Sequence, residues 1–111
     1  MQLMFIILNK TECLETLLEE FVSNGIKGAT IVDSKGMAHS LAENDEFRFV
    51  SSLRSILNPD RKESKTIMVV MRDNKVEVAA KLVNSVTGGI SKPDTGIIFT
   101  VPISYCEGLI E

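Results

Sequence analysis

The sequence predicts an α+β fold made of two successive β-α-β units in a single domain, residues 1–111. Three observations predict it. Two short apolar runs, Leu3–Leu8 and Thr66–Met71, read as strands buried on both faces. Each run is followed by apolar residues at helical spacing that stop at a glycine. Each helical stretch is followed in turn by a second β-branched run.

The elements follow in order. After Leu3–Leu8, Asn9 stands three residues before Glu12, a capping-box spacing that predicts a helix start. Leu14, Leu17, Leu18, Phe21 and Val22 give residues 10–23 one apolar face. Asn24-Gly25 ends that helix, because glycine takes the left-handed C′ conformation cheaply. Ala29–Lys35 is the second strand, carried by Thr30, Ile31 and Val32. The plan then repeats. Thr66–Met71 is the third strand, and Asp73 or Asn74 is the expected cap, with Glu77 three residues after Asn74. Val76, Ala79, Ala80, Val83 and Val86 form the second apolar stripe. Gly88 stands where Gly25 stood, and Gly96–Ile103 is the fourth strand. The order βαββαβ is the ferredoxin-like arrangement, with helices on one face of an antiparallel sheet. Its other face is then apolar and uncovered. Three such sheets facing one another would cover it, so a homotrimer is expected.

The halves differ at two places. Between the second and third strands lie about thirty residues, Gly36 to Lys65. Connections this long are functional or disordered more often than merely structural. Residues 36–46 carry Glu43, Asn44, Asp45 and Glu46 and few large apolar anchors, so they are expected to be mobile. Within residues 47–57, Phe49 or Val50, Leu53, Ile56 and Leu57 recur at helical spacing, with Phe47, Val50, Leu53 and Leu57 on one face, and Asn58-Pro59 would stop that short helix. The other difference follows the second helix. From Gly25 the chain reaches its strand in about four residues, and from Gly88 in about eight.

Composition excludes several classes. Net charge is −3, from 12 basic and 15 acidic residues, which gives no drive toward nucleic acid. No run approaches the roughly 20 apolar residues of a membrane helix, and Leu3–Leu8 is too short for a signal-peptide core. A cytoplasmic protein is expected, with Cys13 and Cys106 as reduced thiols. His39 is the one histidine and no cysteine cluster accompanies it, so no closed zinc site is expected. Cys13, near a helix start, reads as a packing thiol. No nucleophile elbow or triad signature is present, and no enzyme is expected.

Two segments can meet an anion. The turn Thr87-Gly88-Gly89…Asp94-Thr95-Gly96 can present backbone N–H groups, though it also serves as a plain helix-to-strand turn. Arg54, Arg61, Lys62 and Lys65 make the end of the long connection basic, as a solvated face or an anion contact.

These residues resemble the PII nitrogen-regulatory and PII-like signalling proteins over nearly the whole chain. Gly25-Ile26-Lys27-Gly28-Ala29-Thr30 is similar to that family's GI-x-G-x-T. Lys35-Gly36 is similar to the KG that opens its long T-loop, and Lys65 precedes an apolar strand as it does there. Thr87-Gly88 with Thr95-Gly96-Ile97-Ile98-Phe99 is similar to its TG…GDGKIF stretch. The resemblance implies a trimer with ligand sites between subunits, built from the T-loop base, the turn before the last strand and the C-terminal segment. It implies adenine nucleotide and 2-oxoglutarate as ligands, and control of a membrane transporter or metabolic enzyme through the T-loop. Carried over residue by residue, the site comprises Thr30, Lys35, Gly36, Met37, Ala38, His39, Lys65, Gly88, Gly89, Asp94, Thr95 and Gly96. The chain also departs from the family. KGFGRQ reads Lys35-Gly36-Met37-Ala38-His39-Ser40, Ile97 replaces a lysine, and Ser104-Tyr105-Cys106-Glu107-Gly108 replaces the C-terminal arginines. Each lost cation removes a contact worth about 1.5–3 kcal/mol, so weak or absent ATP binding is expected, and no cofactor is assigned. The expected function is a regulator that senses a small anionic metabolite or nucleotide in nitrogen or carbon metabolism. The alternative is a trimeric structural or metal-tolerance protein of the CutA type, which shares the architecture without the long connection.

Overall fold

The computed structural model describes residues 1–42 and 63–110. Its strands are β1 (Gln2–Leu8), β2 (Thr30–Ser34), β3 (Ser64–Met71) and β4 (Gly96–Pro102). Its helices are α1 (Leu14–Ser23), α2 (Met37–Ala42) and α3 (Val76–Thr87), and 3₁₀ turns Thr11–Cys13 and Asp73–Lys75 lead into α1 and α3. The strands form one antiparallel sheet in the order β2-β3-β1-β4. That is the ferredoxin-like order: β1 and β3, whose alternate residues are buried, are central, and β2 and β4 lie at the edges.

Register explains the layering. Met4 pairs with Val69 and Ile6 with Ile67. Both pairs point at the helices and are buried, with Leu8 and Met71 on the same face. Leu17 and Phe21 of α1 and Ala79 and Val83 of α3 close that core. Each such large side chain contributes about 1.5–3 kcal/mol by leaving water. The opposite face carries Leu3, Phe5, Ile7, Met68 and Val70, half-buried, beside exposed Val32, Ile97, Phe99 and Val101. Phe5 and Phe99 stack there at 5.0 Å. The two central strands are therefore buried on one face only within a single chain, and the other face stays apolar and open.

Several local expectations change. Lys10, not Asn9, occupies the N-cap position of the first turn without a side-chain capping bond, and the backbone N–H of Asn9 donates to Thr95 O. Arg72 and Lys75, not Asp73 or Asn74, occupy the cap positions before α3. In both halves a 3₁₀ turn displaces the capping box. Val22 is exposed, because it lies at the edge of the α1 stripe. Residues 37–42, expected to lack regular structure, form α2, and its first turn closes through Ser40 N–H to Gly36 O at 2.9 Å. β3 begins at Ser64, so Lys65 belongs to the sheet and not to the connection. The expected helix over 47–57, and Arg54, Arg61 and Lys62, lie outside the described residues.

Candidate functional site

Antiparallel pairing sets where the site residues fall. Leu8 ends β1 and pairs with Lys65, near the start of β3, and with Gly96, the start of β4. Ser34 ends β2 and pairs with Ser64. Lys35, Gly36, Met37, Ala38, His39, Lys65, Gly88, Gly89, Asp94, Thr95 and Gly96 therefore all belong to one end of the sheet. They are split between its edges. From β2 to β4 is three strand spacings, about 14 Å at ~4.8 Å each.

On the β2–β3 edge the chain enters and leaves the long connection. Lys35 and Gly36 follow β2, Met37 is exposed, and Ala38 and His39 lie within α2. The feet of the connection are tied twice. On the face away from α1 and α3, the Ser34 and Ser64 hydroxyls share a hydrogen bond of 2.8 Å, and Thr66 Oγ1 donates to Ser34 Oγ at 2.8 Å. Directly across the strand pair, the Lys65 ammonium donates to the Asp33 carboxylate. That hydrogen bond first, and the Asp33 charge second, raise the Lys65 pKa above its ordinary 10.5. Lys65 is thus a cation whose charge is already matched.

The β1–β4 edge holds the glycine turn. α3 ends at Gly88 in the left-handed conformation, φ 83°. Gly89 N–H donates to Thr87 Oγ1, Ile90 N–H to Asn84 Oδ1, and Lys92 N–H to Gly89 O at 3.1 Å. These bonds fold the extra residues back on the helix end. Gly96 is compelled: a Cβ there would lie 2.3 Å from Ile7 O and 3.2 Å from Ile90 Cδ1. Lys10 Nζ donates to Thr87 O at 3.0 Å, and the Lys92 stem passes 3.5–3.7 Å from where a Gly89 Cβ would stand, an ordinary contact.

Thr30 is not with the others. It opens β2, four residues from Ser34, or roughly 13 Å along the strand. It lines a separate cleft of about 570 Å³ with Ile26, Met68 and Val70 as apolar wall, Lys27 and Lys75 at its basic side, and Leu109 from the C-terminal segment. Cys13 is half-buried with its Sγ 3.6 Å from Val86 O, a packing position, and Cys106 is exposed. Among the described residues no group of His, Cys, Asp and Glu is arranged to hold a metal ion, and no helix is long and apolar enough to cross a membrane.

Sequence reasoning missed Lys10, Asp33, Ser34 and Lys92. Asp33 was the most accessible: once β2 and β3 are paired, its position opposite Lys65 follows from register. Lys92 carried no signal, because its placement depends on how the longer turn folds.

The family model described as Nitrogen regulatory protein P-II matches residues 1–109. No curated protein matches the chain.

Proposed function

The chain belongs to the nitrogen regulatory protein P-II family, and we propose that it is a cytoplasmic homotrimeric sensor of a small anionic metabolite or nucleotide. P-II proteins are signal-transduction regulators rather than enzymes, and the chain is a regulator of that type. The observation that carries the finer reading is the family match over residues 1–109 on a sheet whose open end holds both the glycine turn and the feet of the long connection.

The mechanism is a population shift. A ligand at the loop end of the sheet binds one arrangement of residues 36–65 better than another, and so biases what a partner meets. The partner is a transporter or metabolic enzyme. The homotrimer is supported by the open face: Ile97 at 54%, Val32 and Phe99 at 43% and Val101 at 39% exposure line a surface that solvent alone does not stabilise. Adenine nucleotide binding is expected to be weak, because the three family cations are replaced and Lys65 is held by Asp33. The CutA-type alternative draws no support from the family match.

The test is a deletion of residues 40–60 joined by a short linker. Light scattering should give a trimer for both the intact and deleted chains, and thermal unfolding should be little changed. A pull-down should lose the ligand-dependent partner. A monomer at micromolar concentration removes the assembly, and a deleted chain that still recruits every partner removes the loop as effector.

A further inference from the structure

The edge strand β2 is weakly held along most of its length. Thr30, Ile31, Val32 and Asp33 are exposed, and none of its five residues is buried in the core. Ser34, its last residue, is the exception in being half-buried. It lies in a cluster of hydroxyls. Ser34 Oγ shares a hydrogen bond of 2.8 Å with Ser64 Oγ and accepts another of 2.8 Å from Thr66 Oγ1. Ser64 stands directly opposite Ser34, with Thr66 two residues further along β3. Ser64 is buried at 4% exposure. These three hydroxyls occupy one corner of a face that elsewhere presents Phe5, Ile7, Met68 and Val70.

Their place is where the strand pair most needs a tie. In a tight hairpin the turn itself fixes the register of its two strands. β2 and β3 are joined instead by about thirty residues. The entropy of closing so long a connection grows only with the logarithm of its length, so a few more residues released into it cost almost nothing. The connection therefore does not oppose fraying at the ends of β2 and β3, and the side chains at its feet must do so. Cross-strand hydroxyl bonds and opposite charges both strengthen a strand pair. Here the hydroxyls act on one face, and Lys65 with Asp33 acts on the other. The ion pair stands in solvent, where such pairs are worth little. The hydroxyl bonds enclose a buried Ser64, whose oxygen would be costly to leave unsatisfied.

We propose that Ser34, Ser64 and Thr66 form a clasp that joins the two feet of the long connection into one unit and ends the strand pair at Ser34 and Ser64. Ser34 Oγ is its hub, because both hydroxyl bonds meet there. A displacement imposed at Lys35 and Gly36 is then carried to Ser64 and Lys65 instead of being lost in fraying of β2. That consequence rests on the regulator reading, for which it supplies a jointed base. The clasp itself rests on the sheet alone.

The experiment is amide hydrogen exchange on the full chain, followed residue by residue by nuclear magnetic resonance. Thr66→Val keeps the volume and the branching and loses one hydroxyl bond. It should speed exchange of the amides that join β2 to β3 between Val32 and Thr66 by about fivefold. Ser34→Ala loses both bonds and should speed the same amides by more than about tenfold. Ser34→Thr keeps the hydroxyl and should stay within about twofold of wild type. Amides on both feet should change together, while those that join β1 to β4 stay within about twofold. Circular dichroism reports folding, and Thr66→Val decides the matter if Ser34→Ala does not fold. Unchanged exchange at the feet, a rise at one foot alone, or an equal rise across all four strands each overturns the clasp. Exchange is read on the sheet, so each of these results leaves the regulator reading standing, and partner recruitment by the deleted chain decides that reading separately.

Discussion

The two β-α-β halves solve the same problem in the same way, up to the end of the helix. Each runs from a central strand through a 3₁₀ turn into a helix, and each helix is followed by a glycine at φ 81° or 83°. Each half also lends the other a lysine. Lys75, before α3, donates to Asn24 O at the end of α1 (3.1 Å), and Lys10, before α1, donates to Thr87 O at the end of α3 (3.0 Å). A cation at a helix C-terminus meets both an orphan carbonyl and the negative end of the dipole. This exchange is structural, since both halves make it. What only the second half has is the longer turn, the second lysine and a glycine pressed against β1. The difference teaches which features the fold requires and which have been added to it.

The sharpest way to break this comparison is at the glycines. Gly25 and Gly96 both have positive φ, 81° and 150°. A Cβ at Gly25 would meet only the flexible end of Lys75, at 3.3 Å. A Cβ at Gly96 would strike a backbone oxygen that cannot move without parting β1 from β4. Gly25→Ala should therefore cost about 1–2 kcal/mol, the usual left-handed penalty. Gly96→Ala should cost about 3 kcal/mol or more, since collision adds to strain. Thermal or urea unfolding of both variants measures the gap, and equal losses would show the close approach to be unimportant.

The lysine exchange is tested next. Lys10→Met and Lys75→Met keep the stems and remove the charges. Each should lose roughly 0.5–1 kcal/mol of stability, and the two should agree closely in urea unfolding. If Lys75→Met costs nothing while Lys10→Met costs 2 kcal/mol or so, the halves are not equivalent and the shared structural role is wrong.

Much of the fold was legible because hydrophobic pattern and chain order are both local. Leu3–Leu8 and Thr66–Met71 announced the central strands, and Gly25 and Gly88 announced the helix ends. The helix starts were misread, because a capping box is a spacing that a 3₁₀ turn can displace at little cost. Residues 37–42 were read as a stretch without large anchors, and the helical turn α2 there was not foreseen, because so short a helix has too little periodicity to announce itself. For the site, the sequence grouped residues that the strand register gathers at one end of the sheet but divides between its two edges. Thr30 was grouped with residues it does not touch, since a motif written along the chain hides the 13 Å or so that an extended strand puts between its ends. Lys65 was read as a surviving cation because the carboxylate that neutralises it, Asp33, lies across a strand pair and not along the chain.

That last pair yields the smallest expected effect. The Asp33–Lys65 pair is exposed, so its contribution to stability at neutral pH is small. Its signature is in its pH dependence. The pair raises the folded-state pKa of Lys65 above the ordinary 10.5. A raised lysine pKa means that the stabilisation is fully present below the unfolded value and fades as pH rises through the folded one. Asp33→Asn removes the cause. The wild type should be slightly more stable than Asp33→Asn at pH 7 to 9, and the two should converge as pH rises through the raised folded-state pKa of Lys65. Equal stability of the two proteins at every pH would mean that the pair contributes nothing to the folded chain, and that the register opposite Lys65, rather than its charge, is what places Asp33 there.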